Sequence, residues 1–203
     1  MTRMTRWLTV AFLVLCAYLA FDRFVLARPI ARGAGVVAAE APVQAALGRD
    51  APVFQKDGFH VVAVASFALE ARVLRTKNYC CGGPDSLAPI DVAFGWGRMS
   101  DETVLARLEI SQSGRFYFWR YEGSPPIPRR EIEVSSANMH LIPATKAIEK
   151  RLDRLRPGNV VTLRGYLVQV TRYDGFVWRS SLTREDTGNG ACELIWVEEL
   201  EAS

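Results

Sequence analysis

The last forty-five residues constrain the fold more than any other stretch. NVVTLRGYLVQV (159–170), FVWRSSL (176–182) and CELIWVEEL (192–200) are rich in β-branched and aromatic side chains. Arg156-Pro157-Gly158, Asp174-Gly175 and the polar loop TREDTGNGA (183–191) punctuate them. Asp-Gly between two apolar runs predicts a hairpin. Gly165 sits where the apolar face changes parity, which predicts a bulge. The last run is apolar on both faces, so it is read as a central or interfacial strand.

The preceding chain fits a β-rich α+β domain. FHVVAVASFALEARVL (59–74) has no Pro or Gly and alternates in its second half, which favours a long strand over a helix. NYCCGGPD (78–85) is a loop, and IDVAFGW (90–96) is a short buried strand. Ser100 and Asp101 are candidate caps for a helix over ETVLARL (102–108). Ser113-Gly114 turns the chain into the aromatic strand RFYFWRY (115–121), and SPPIP (124–128) is a stiff connector. Residues 130–135 alternate as a half-exposed strand. Thr145 caps a helix with Ile148, Leu152 and Leu155 on one face.

The order strand, bulged glycine, hairpin, long loop, strand over about 157–199 is similar in pattern to a small OB-type Greek-key barrel. DVAFGWGRMSD (91–101), SSANMHLIPA (135–144) and SSLTREDTGNGACELIWVE (180–198) resemble a family of uncharacterised single-pass bacterial envelope proteins. That resemblance implies no activity, ligand or site.

WLTVAFLVLCAYLAF (7–21) is fifteen residues without a charge, flanked by Arg3 and Arg6. As a helix it rises ~22 Å, against a hydrocarbon core of about 30 Å. Continuation past Asp22 and Arg23 gives a span that begins at Trp7 and ends at Ala27. The segment is read as an uncleaved signal-anchor, with a cleaved signal as the alternative. The expected organisation is a transmembrane segment over 1–27, a tether over 28–52 and an extracytoplasmic β-rich domain over 53–200. Positive charge on the two flanks nearly ties, and the short leading tail favours export. This reading places the chain in a bacterial inner membrane as a single-pass protein.

Charge and cysteine use narrow the chemistry. Residues 1–35 hold five Arg and one Asp, so the +3 net charge belongs to the N-terminal segment and the remainder is near −1. A near-neutral domain lacks the bulk field that drives nucleic-acid binding. Arginines and aromatics nonetheless alternate at Arg115, Phe116, Tyr117, Phe118, Trp119 and Arg120, and again at Trp178 and Arg179. The four cysteines, Cys16, Cys80, Cys81 and Cys192, show no C-x-x-C spacing, and no metal site or cofactor is predicted. In an oxidising compartment Cys80 or Cys81 is available to bridge Cys192; unpaired thiols near the core are the other reading.

No catalytic motif stands out. Asp186-Thr187-Gly188 matches an aspartic-protease core but lies in a polar loop rather than after a buried strand. Asp174, Glu185, Asp186 and Asn189 fit no calcium-loop spacing. Ser180-Ser181 lacks a nucleophile-elbow context. The leading expectation is a membrane-tethered, non-enzymatic binding or assembly module whose partner is another envelope protein. Its binding edge is placed at Arg179, Arg184, Glu185 and Asp186. The alternative is a hydrolase or transferase that uses Cys192 with His140, or carboxylates from 174–186.

Overall fold

The computed structural model describes residues 3–48, 50–80, 82–183, 185 and 190–203. Helix α1 (Arg3–Ala27) precedes two short strands, β1 (Val43–Ala46) and β2 (Val53–Lys56). The long strand β3 (Phe59–Asn78) comes next, then α2 (Pro84–Leu87), β4 (Ile90–Gly95) and α3 (Glu102–Leu105). A hairpin, β5 (Glu109–Ser113) and β6 (Phe116–Arg120), leads to α4 (Arg129–Val134) and β7 (Ser136–Pro143). The chain closes with α5 (Lys146–Leu152), β8 (Val160–Arg172), β9 (Val177–Arg179) and β10 (Glu193–Ala202).

Strands β3, β4, β7, β10 and β8 run in that order, and pairing of β3 with β8 closes them into a ring. The pairs are antiparallel except β10 with β7, which is parallel. The result is a closed, barrel-like sheet with one parallel pair. It draws on 59–202 rather than on the C-terminal run alone. Phe67, Leu69, Val92, Phe94, Met139, Leu141, Leu163 and Ile195 fill the main core, and Ile148, Leu152 and Leu155 of the α5 region close one side of it. Each such side chain contributes about 1.5–3 kcal/mol on burial.

Consecutive residues of β7 and β10 serve two clusters, as the two faces of a strand must. Leu141 and Ile195 belong to the main core, while Ile142 and Leu194 pack with Phe59, Val61, Leu87 and Val170 on the other face. A third cluster, of Ala93, Met99, Val104, Ile127 and Ile132, lies between β4 and the segment that joins it to β7. Tyr117 and Trp119 of the hairpin pack on that cluster, so β5–β6 lies over the barrel wall.

Several expectations change. No helix among the described residues is long and apolar enough to cross a membrane. Helix α1 forms, but its uncharged run is fifteen residues and ends at the charged pair Asp22 and Arg23. The transmembrane part of the expected fold class, from Trp7 to Ala27, is therefore corrected, and the envelope placement loses the support it drew from that span. Residues 130–135 are helical, not extended: Pro128 precedes the turn, Arg129 pairs with Glu133 at i,i+4, and only Ile132 is buried. The helix over 102–108 stops at Leu105. Val43–Ala46, within the expected tether, is a strand paired with β3.

The segment expected as a tether runs along the domain. Ile30 N–H donates to Pro157 O at 2.7 Å and Gly97 N–H to Ala38 O at 2.8 Å. The irregularity near Gly165 falls on its partners. Register shifts lie between Val197 and Glu199 of β10 and between Ala63 and Ala65 of β3.

A Cβ at Gly165 would stand 1.9 Å from Trp196 O, a backbone atom that cannot swing away. Gly165→Ala is therefore expected to lose about 1–3 kcal/mol in urea unfolding. Gly33, with nothing within 4 Å of its Cβ position, is the control. Equal midpoints for Gly165→Ala and Gly33→Ala would contradict the close approach of β8 to β10.

Candidate functional site

Asp91 is an aspartate inside an otherwise apolar strand, and it is fully buried. Burying a carboxylate is tolerated only with partners. Arg115 Nη1 and His140 Nδ1 reach its Oδ1 at 2.8 and 2.7 Å, and Asn138 Nδ2 approaches Oδ2 at 3.5 Å. Asp91 and His140 are directly paired across β4 and β7, so sheet register alone brings them together.

Arg115 arrives from the tip of the β5–β6 hairpin. Gly114 and Arg115 have φ of 56° and 66°, the left-handed pair of a tight hairpin turn. That conformation is uncommon for a non-glycine residue. The barrel holds it. Arg115 N–H donates to Tyr79 Oη at 3.2 Å, and Arg115 O accepts from Asn138 Nδ2 at 3.0 Å. Its guanidinium donates to Asp85 Oδ1 at 2.6 Å and Ala88 O at 3.0 Å, and lies over the rings of Tyr79 and Trp178 at 4.0 and 5.1 Å. Gln112 Nε2 donates to Asn138 Oδ1 at 2.7 Å.

Beside this network is a cavity of about 450 Å³. His140, Arg115 and Cys192 line it together with Phe116, Val177, Trp178, Arg179 and Gly190. The carboxylate of Asp91 can only accept, so in the neutral imidazole Nδ1 carries the proton and Nε2 is the nitrogen left for the cavity. The Trp178 ring lies 4.9 Å from the His140 ring, centroid to centroid. Cys192 Sγ donates to Arg115 O at 3.9 Å.

Of the residues expected to act, His140, Cys192 and Arg179 meet at this one cavity. Arg184 and Asp186 lie outside the described residues, as does Cys81. Glu185 is exposed, and its N–H donates to Thr183 Oγ1 at 3.2 Å. Asp174 is bound to Arg172 at 2.6 Å within its hairpin turn and does not line the cavity. Cys80 is exposed beyond the end of β3. Among the described residues no group of three or more His, Cys, Asp or Glu could hold a metal ion. Asp91, Asn138 and Tyr79 escaped sequence reasoning. The available signal was Asp91 itself, the one charge in the apolar run IDVAFGW.

No family model, curated protein or solved structure matches the chain.

The surroundings act on two phenols. Burial, reinforced by the negative charge of Asp91 and a hydrogen bond to it, pushes Tyr79 up to about 12. Burial likewise raises Tyr117 to about 12, with the hydrogen bond to Ser136 pulling the other way. Both values exceed the free-chain value of about 10, so the folded state holds these protons more tightly. Stability from this source is complete below about pH 10 and is lost as pH rises through about 12. Ultraviolet titration of the six tyrosines should show two ionising last. Tyr79→Phe and Tyr117→Phe should each delete one late step, and a single transition near pH 10 would contradict both placements.

Proposed function

We propose that the protein is a ligand-binding barrel module that captures a small anionic ligand with a planar apolar part in the cavity over β4 and β7. The observation that carries this reading is the position of Arg179. Arg115 is committed to Asp85 and Asp91, whereas Arg179 takes part in no ion pair among the described residues, is exposed and lines the same cavity. A cation beside the aromatic walls of Trp178 and Phe116 suits a carboxylate or phosphate attached to a flat group.

Other surfaces fit less well. The cleft of about 580 Å³ beside α5 is lined by Arg151 and Arg164 but also by Glu198, Glu199 and Glu201, so its charges oppose one another. The aromatic hairpin does not offer a continuous stacking ladder for a nucleic acid. Tyr117 and Trp119 turn onto the third cluster, and Phe118 is its exposed ring.

Calorimetric titration of the full chain with benzoate, acetate and inorganic phosphate tests the reading. Benzoate should bind more tightly than acetate, because it adds ring contacts to the same charge. Arg179→Gln should weaken benzoate about ten- to a hundredfold, since a charged hydrogen bond is worth roughly 1.5–3 kcal/mol, with the melting temperature of the unliganded protein unchanged. No binding of any of the three, or equal benzoate affinity in Arg179→Gln, would refute the assignment.

A further inference from the structure

We propose that Cys192 is a nucleophile in this cavity, with His140 as its base and Asp91 as the group that orients His140, acting on small anionic esters or thioesters. The inference goes beyond ligand capture and rests on that reading only for the substrate's charge.

Three observations place the groups together. Cys192 lies one residue before β10, the strand whose parallel register pairs Leu194 with His140. Cys192 Sγ and Asn138 Nδ2 approach one acceptor, Arg115 O, at 3.9 and 3.0 Å, and Asn138 is the preceding same-side residue to His140 on β7. Cys192 and His140 line one cavity.

The chemistry of the three groups is complementary. A thiol needs a base to become a strong nucleophile at neutral pH. His140 is only 4% exposed, its Nδ1 is engaged by Asp91, and the Trp178 ring limits its rotation. Nε2 is therefore presented in a fixed direction, as a base must be. A structural cysteine is ordinarily sealed within apolar neighbours. Cys192 is instead half-buried beside the site's polar groups, so a small electrophile can reach it.

In the proposed step Sγ attacks the substrate carbonyl carbon and forms a C–S bond, while the thiol proton passes to His140 Nε2. The tetrahedral adduct collapses with cleavage of the carbonyl C–O or C–S bond, and the leaving alkoxide or thiolate takes the proton from Nε2. Water, giving its proton to Nε2, then hydrolyses the acyl-thioester, and Sγ recovers that proton. Arg179 holds the substrate's anionic end. The sequence of steps uses no oxidant, reductant or cofactor.

The test labels the full chain with iodoacetamide between pH 5 and 9 and maps the sites by mass spectrometry, with exposed Cys16 as the internal reference. Cys192 should react at least tenfold faster than Cys16 at pH 6.5, and His140→Gln should abolish that advantage. Asp91→Asn should displace the pH profile of labelling, which a purely structural role would not do. Exposure to mono-p-nitrophenyl succinate should release p-nitrophenolate in a burst and leave a succinyl group on Cys192. Cys192→Ser should lose both the burst and the succinyl adduct with its melting temperature unchanged, a readout that holds even if the His140 variant does not fold. Labelling of Cys192 no faster than Cys16, or a burst that survives in Cys192→Ser, would overturn the proposal. Failure of benzoate binding with an intact burst would refute the capture reading alone.

Discussion

The burial of one carboxylate organises the outer side of this barrel. Asp91 cannot shed its charge into water, so its partners must arrive for β4 to close into the ring. They come from separate parts of the chain. His140 and Asn138 lie on β7, and Arg115 stands at a hairpin tip twenty-odd residues on from Asp91. Tyr79 comes from the end of β3. Loss of one partner of such a group costs about 3–5 kcal/mol, because the charge left behind is uncompensated. The segment between β4 and β7 is thereby tied to the barrel by more than its apolar contacts. The left-handed turn at Arg115, a conformation that costs on the order of 1–3 kcal/mol, is offset by bonds made by both its backbone and its guanidinium.

How much of this was legible in the sequence depends on how local the signal was. Strands β3, β8 and β10 were readable because apolar alternation, Asp174-Gly175 and Pro157-Gly158 are contained within each segment. The α5 helix was readable from Thr145, whose side chain accepts from Ile148 N–H, and from the spacing of Ile148, Leu152 and Leu155. Strand β7 was not, because it is buried along nearly its whole length and so does not alternate. Residues 130–135 misled in the opposite sense. Two apolar residues, Ile132 and Val134, imitate a period of two inside a single helical turn. The apolar run near the N-terminus is helical as read, yet helicity and hydrophobicity over fifteen residues do not amount to a membrane span.

The site obeys the same rule at longer range. His140, Cys192 and Arg179 were each visible as residue types with chemistry. Their neighbourhood was not, because it depends on β10 lying parallel to β7 and on β9 pairing with β8. Closure of the ring through β3 and β8, which joins residues about a hundred positions apart, is likewise a property of the whole chain. Arg115 and Trp178 stood out as members of an aromatic and basic stripe. The structure dissolves that stripe, turning Tyr117 and Trp119 inward and sending Arg115 to Asp91.

Why the cavity lies outside the ring also has a physical answer. Phe67, Phe94, Met139, Leu141 and Leu163 fill the ring's interior, which leaves no room for a ligand there. A site must therefore be built on the outer wall, where a flat strand surface alone would offer no concavity. Two additions supply it. The β5–β6 hairpin contributes Arg115 and Phe116, and the chain from β9 to β10 contributes Val177, Trp178, Arg179, Gly190 and Cys192. The floor is the strand pair that carries Asp91 and His140, fixed by ladder hydrogen bonds and by the apolar cluster of Ile142 and Leu194. Recognition groups held on such strands lose little freedom when a ligand arrives, so more of the contact energy appears as affinity. His140 is the clearest instance. Its backbone is in the barrel wall, its Nδ1 is bound to a buried carboxylate, and the remaining nitrogen has a direction before any ligand is present.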